Sequence, residues 1–261
     1  MKKKEELKYL DKEWAQMNIH LKAFLETGDQ EQLHRFRVQI KKVRAMLSLF
    51  DDTSKHPGLL KGFKPVKKIF GFAGQIRDAY TNLQLSARYH LKNEAFESSQ
   101  QKIIEDGTAE FQHEGKKYLR LIKEVYRHLK KQLTRINDKS VAEYYKKQLI
   151  EISGNFAVSG FNEDMHTNRK LIKILVYNHK LASNALNGSV PFNSAYLDKL
   201  QSAIGEWHDN VVAAQLFSTP ELNDKPVVTT IKKKNAGVKR TITRLADDFL
   251  KKATAVETEK V

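Results

Sequence analysis

The stretch that most constrains this chain runs from Leu33 to Phe50, LHRFRVQIKKVRAMLSLF. At about 100° per residue, Leu33, Phe36, Ile40, Val43, Leu47 and Phe50 fall within an arc of roughly 100°. His34, Arg37, Lys41 and Arg44 fall on a neighbouring arc of about 80°, spread over roughly 15 Å of helix. No Asp or Glu occurs from Gln32 to Phe50. Such a helix offers an apolar face to a core and a purely cationic face beside it. Like charges three and four residues apart cost roughly a few tenths of a kcal/mol per pair, and a solvated helix normally interleaves acids to cancel them. The natural complement is an anion from outside; a solvated basic face is the bland alternative.

The pattern returns. Met165 to Leu181 reads MHTNRKLIKILVYNHKL, with His166, Arg169, Lys173 and Lys180 on one face, and no acid occurs from Met165 to Leu197. His34 and His166 are 132 positions apart. Gly74-Gln75-Ile76-Arg77-Asp78 is echoed by Gly205-Glu206-Trp207-His208-Asp209 at an offset of 131. Two different motifs repeating at nearly one spacing predict two similar halves.

The rest of the chain reads as helices too. Leu7–Glu26 has apolar residues at helical spacing, a stop at Gly28, and Asp29 placed to cap the organising helix. That helix is expected to end at Asp51, Asp52, Pro57 and Gly58. An acid-free stretch from Thr53 to Arg77 follows, carrying Lys55, Lys61, Lys64, Lys67, Lys68 and Arg77. Pro65 and Gly71 leave the start of its helix open, and Gly74 reads as a packing position. Further helices are predicted over Tyr80–Ile104, Phe111–Ile136 and Asn137–Ile152. The basic face of Phe111–Ile136 is interrupted by Glu110, Glu114 and Glu124 and reads as solvated. Ser153–Asn162, with Gly154 and Gly160, is the expected internal break, giving halves 1–153 and 162–261 within one domain. Asn162 or Asp164 caps the second cationic helix, and Asn187–Asn193 with Gly188 and Pro191 ends it. A helix to about Phe217, a loop over Thr219–Pro226 and a last helix over Val227–Lys252 complete the chain, and the tail from Val256 is expected to fray. That last helix holds Arg240 and Arg244 in another acid-free window, Lys225–Ala246. No strand alternation appears. The expected fold class is all-α, about four long helices per half packed as bundles. Basic faces paired across a pseudo-twofold would concentrate positive potential in one groove or pore.

Bulk properties agree. The 261 residues carry a net charge of +15 with pI near 9.7, which points to an acidic partner: nucleic acid, an anionic membrane or a phosphate-rich polymer. A hydrophobic content of 40% supports a real core, so the charge is not that of a disordered tail. With no cysteine, disulfides, Cys-ligated zinc and thiol nucleophiles are excluded. No run approaches the roughly 18 apolar residues of a membrane span, and MKKKEELKYL lacks the apolar core of a signal peptide. The expected location is cytoplasmic.

His34-x-x-Arg37-Val38-x-x-Lys41-Lys42-x-Arg44, ending Leu47-x-Leu49-Phe50, resembles the first signature of the CHAD family (conserved histidine α-helical domain). His166-x-x-Arg169-x-x-x-Lys173 with Tyr177 resembles the second, and Gly74-x-x-Arg77-Asp78 and Gly205-x-x-His208-Asp209 resemble the glycine–aspartate segments that follow each. The resemblance covers nearly the whole chain. It implies two four-helix bundles related by pseudo-symmetry and a central basic surface that binds inorganic polyphosphate. It also implies an association with polyphosphate granules or with a partner phosphatase, since family members are often fused to triphosphate-tunnel phosphatases. No such catalytic domain fits in this chain, which would be a stand-alone member. Two positions depart from the family pattern: Val176 stands where an Arg is usual before the tyrosine, with Lys180 one turn on as a substitute, and His208 stands where the first half has Arg77.

The candidate polyphosphate-binding residues are then His34, Arg37, Lys41, Lys42, Arg44 and Arg77 in the first half, and His166, Arg169, Lys173, Lys180, Arg240 and Arg244 in the second. Arginines can fork onto phosphate oxygens, and lysines act as point charges. His34 and His166 begin their helices, where free backbone N–H groups also favour anions, and gain charge as pH falls. Asp78 and Asp209 are expected to orient cations rather than to do chemistry. His208-Asp209 is similar to a metal-phosphohydrolase dipeptide, but no further His/Asp set has ligand spacing, and no Gly-rich phosphate loop is present. The expectation is a binding protein with no cofactor and no metal, not an enzyme. Nucleic-acid backbone binding is the alternative. Against it, the cationic faces carry no interleaved aromatics for base stacking.

Overall fold

The computed structural model describes residues 3–54, 58–158, 160–186 and 190–255, the side chain of residue 158 excepted. Lys55, Pro57, Asn187, Gly188 and the tail from Val256, all used above, lie outside the described residues. Within them the chain is helical, without a strand. It divides into two compact units at Arg135/Ile136. The first holds α1 (Lys3–Thr27), α2 (Gln30–Thr53), α3 (Leu59–Gly62), α4 (Lys64–Arg88), α5 (Glu94–His113) and α6 (Gly115–Gln132). The second holds α7 (Asp138–Val158), α8 (Glu163–Leu186), α9 (Ser194–Phe217), α10 (Lys225–Ala246) and α11 (Phe249–Ala253). The first unit thus has five long helices where four were expected.

α2 is built as its sequence dictates. Asp29 accepts from the Glu31 N–H at 2.9 Å and caps its start. Gly28, at φ +69°, closes α1 with its N–H on the Phe24 carbonyl. All six residues of the predicted apolar face are buried. They pack with Leu10, Trp14, Met17, Leu21 and Phe24 of α1 in the core of this unit. Six fully buried side chains contribute roughly 9–18 kcal/mol gross, against roughly 1 kcal/mol of repulsion along the cationic face. Core burial fixes the orientation of α2, and the cations go where that orientation points them.

Several predicted boundaries shift, each for a local reason. Tyr80–Ile104 is not one helix: α4 stops at Arg88, His90 takes φ +54°, and Asn93 caps α5 by accepting from Phe96 N–H. The two helices fold back on each other, with Asn82 donating to Gln100 at 2.9 Å and Ser86 donating to Glu97 at 2.7 Å. Phe111–Ile136 breaks at Glu114, where Gly115 lets α6 pass so close to Leu25 that a Cβ would lie 2.8 Å from its Cδ2. α7 runs through Gly154, past the expected break at Ser153. It is tied to α8 by Tyr145 Oη on the Leu175 carbonyl and by Asn155 on Asn168, both at 2.9 Å, and it belongs to the second unit. The last helix ends at Ala246 because Asp248 takes φ +49°. Among the described residues no helix is long and apolar enough to cross a membrane.

Candidate functional site

In the first unit the site forms where α2 lies along α4. Arg37 Nη1 donates to the Phe70 carbonyl at 2.9 Å, and its guanidinium lies 4.2 Å from the centre of the Phe70 ring. Lys41 Nζ is 5.8 Å from the same ring. Gly74, one turn on from Phe70, makes this possible: a Cβ there would stand 2.6 Å from Arg37 Nη1. Arg77 follows Gly74 and acts electrostatically on both His34 and Arg37. Its guanidinium also stacks on Tyr80 at 4.8 Å. Residue numbers rise along α2 as they fall along α4, so the helices are antiparallel, and Arg44 meets the α4 residues Lys64, Lys67 and Lys68 around one cleft.

The second unit repeats the device. Arg169 Nε on α8 donates to the Gln201 carbonyl at 3.2 Å, and a Cβ on Gly205 would lie 2.6 Å from Arg169 Nη2. Gln201 precedes Gly205 by four residues, as Phe70 precedes Gly74. In each unit an arginine crosses onto a glycine of the next long helix and donates to the carbonyl one turn earlier. His166 stacks on His208 with ring centres 4.2 Å apart, the positions that His34 and Arg77 hold in the first unit. Lys173 Nζ lies 5.4 Å from the centre of the Tyr177 ring, with Asp198 and Asp209 acting on it.

Burial first, and neighbouring charge second, lower the pKa of these groups. Desolvation pushes His34 below its ordinary pKa of 6.5; Arg77, Lys41 and Arg37 push the same way, and Glu31 opposes them. Desolvation likewise lowers His166, with His208, Lys170 and Arg169 adding and Glu163 opposing. Its Nδ1 is buried without a hydrogen-bond partner among the described residues. Arg37 and Lys173 are both lowered by burial first; Asp78 partly restores the one, Asp198 and Asp209 the other. Asp78 and Asp209, expected from the sequence to orient cations, act on them electrostatically here, and Asp198, which the sequence reading did not single out, does the same.

The structure does not bring every candidate together. Lys42 turns toward α1, its Nζ 3.9 Å from the buried Glu13 carboxylate, so it leaves the cationic face. Its neighbour Lys41 stays on that face, because one residue is about 100° of rotation. Lys180 is exposed on α8 without a hydrogen bond or ion pair of its side chain among the described residues. Arg240 and Arg244 line a different cleft of about 1050 Å³, shared with Phe156, Phe249, Asp247 and Asp248. The window that looks acid-free in sequence therefore has two carboxylates beside it in space. On α6, Lys116, Arg120, Lys123 and Arg127 are exposed, in keeping with the solvated reading of that face, whereas Lys130 pairs with Asp11 of α1 at 2.9 Å. Sequence reasoning missed Phe70, Tyr80 and Gln201, and the only available signal was their place one turn from a motif residue. Among the described residues no group of three or more His, Asp or Glu side chains is arranged to hold a metal ion.

The sequence matches the CHAD domain family over residues 8–218. The fold is similar to the crystal structure of the CHAD domain from the plant Ricinus communis, with a TM-score of 0.61 and 17% identity, covering 94% of this chain and 88% of that one. No curated protein matches the sequence.

Proposed function

The chain belongs to the CHAD family, and from that premise we propose that its basic helix faces bind inorganic polyphosphate without reacting on it. One observation carries the reading most. His34, Arg37, Arg44 and Arg77 crowd along a single α2–α4 seam, and none of them has a carboxylate within 4.0 Å among the described residues. Arg37 is already half-buried and held by a carbonyl, a ring and a glycine cradle. Little side-chain entropy remains to be lost when it meets a phosphate oxygen. A linear polyanion matches a line of cations about 15 Å long better than a single small anion does.

The test is calorimetric titration with long-chain polyphosphate at about 150 mM salt, against single-stranded and duplex nucleic acid of matched charge. Tight binding that nucleic acid does not displace supports the proposal; equal displacement makes the seam an unspecific anion surface. Incubating the pure protein with polyphosphate and a divalent metal should release no orthophosphate, and release would overturn the non-catalytic half.

Binding is also expected to take up protons near pH 6.5. His34 and His166 hold fewer protons in the free folded protein than in the unfolded chain, so stability from this source is present above about pH 6.5 and lost as pH falls. A bound phosphate favours the imidazolium and reverses the sign, so affinity rises as pH falls. Titrations in buffers of different ionisation heat measure the uptake. It should vanish when His34 and His166 are both replaced by Asn.

A further inference from the structure

The Arg44 end of the α2–α4 seam opens into a cleft of about 530 Å³. Its charged lining is Arg44, Lys61, Lys64, Lys67 and Lys68, its apolar lining is Leu60 and Phe63, and no carboxylate is part of it. None of these cations has an ion pair within 4.0 Å among the described residues. The acid nearest Arg44 in sequence, Asp51, is occupied. Its carboxylate accepts from the N–H groups of Gly58, Leu59 and Leu60 at 2.8–3.0 Å, which holds α3 in place and leaves Lys61 at the cleft. Lys61, Lys64 and Lys68 also border a second cleft that contains Glu110 and Glu114, and Glu114 there is paired with Lys117. Lys67 lines only the first of these two clefts.

The second unit differs at the corresponding positions, although Lys68 has a counterpart in the exposed Lys199. At the offsets that align His34 with His166 and Gly74 with Gly205, Arg44 corresponds to Val176 and Lys67 to Asp198. Asp198 acts on Lys173 and so partly neutralises the end of that seam where the first unit adds cations. The two units share the arginine–glycine device and differ in how far positive charge continues beyond it.

We propose that Lys61, Lys64, Lys67 and Lys68, with Arg44, form a second phosphate cradle particular to the first unit. A polyphosphate long enough to run on from the His34–Arg37–Lys41 line fills it, and a short one does not. The cradle therefore sets the preference for chain length. This rests on the polyphosphate reading and says which part of the chain selects among polyphosphates.

The experiment compares the parent with a variant carrying Lys61→Gln, Lys64→Gln, Lys67→Gln and Lys68→Gln, titrated with tripolyphosphate and with long-chain polyphosphate. A control removes the same charge from exposed positions of the second unit: Lys146→Gln, Lys147→Gln, Lys232→Gln and Lys233→Gln. The cradle variant is expected to lose roughly 10- to 100-fold in affinity for the long chain. Its dependence of log K on log salt should flatten by about 3, and tripolyphosphate binding should stay within about twofold. The control should lose little for either. Equal losses for the two ligands, equal losses in the control, or no loss at all would overturn the cradle while leaving polyphosphate binding intact. A parent that binds neither ligand would overturn the functional reading itself, and the cradle with it.

Discussion

Replacing Arg37 and Arg44 together by alanine is expected to weaken binding of long-chain polyphosphate by roughly 10²- to 10⁴-fold. Hydrogen bonds to charged groups are worth about 1.5–3 kcal/mol each, and every 1.4 kcal/mol is about tenfold in affinity. The fold should survive. Arg44 is exposed at the cleft and packs no core. Arg37 is held by the Phe70 carbonyl, which lies within α4 where the helix ladder already uses it. Its loss orphans no buried group, and the stability change is about 1 kcal/mol. Arg37→Lys separates charge from geometry: it keeps the cation but loses the fork and the flat stack on Phe70, so affinity should fall to an intermediate value. Circular dichroism and thermal melting report the fold, calorimetry the affinity. Parent-like affinity in the double variant would remove the α2 face from the binding site.

The same residues show what the sequence could and could not reveal. Helical period placed Leu33 to Phe50 correctly against the core, because apolar burial outweighs every other local term there. The repeat offsets paired His34 with His166 and Gly74 with Gly205, and Gly74 read as a packing position; that an arginine is what packs on each of these glycines was not legible in the sequence. Boundaries were less legible. The break at Tyr89–Asn93 depends on His90 adopting φ +54° and on α5 returning to bond with α4, and helical periodicity carries no trace of a returning partner. Lys42 could not be told from Lys41 without knowing that Glu13 of α1 lies beside it. The surroundings of Arg240 and Arg244 were hard to read for a similar reason. Absence of acids along a helix says nothing of acids in the turn that follows, and Asp247 and Asp248 share their cleft. Charge in sequence is one-dimensional, whereas compensation of charge is decided by neighbours in space.

Gly74→Ala is expected to separate binding from folding more sharply than any change of a charged residue. The added Cβ would fall 2.6 Å from Arg37 Nη1, closer than packed atoms approach, so the guanidinium must leave. It sits at the end of a flexible side chain and can do so without moving a backbone. The helix gains about 0.5–1 kcal/mol from Ala over Gly, roughly offsetting the lost hydrogen bond and stack, so melting should change by a few degrees at most. Affinity for polyphosphate should still fall about tenfold or more, because Arg37 no longer stands where the seam holds it. Gly205→Ala is sterically the harsher change, with Arg169 Nη2, Cζ and Nε within 2.6–3.0 Å of the new carbon. It should nonetheless cost less affinity, because Asp198 and Asp209 already temper the cations of the second seam. A larger loss from Gly205→Ala would move the weight of binding to the second unit. The decisive comparison is Gly74→Ala made on an Arg37→Ala background. If the methyl acts only by displacing the guanidinium, it should then cost nothing further, and the coupling between the two changes should equal the whole effect of Gly74→Ala alone.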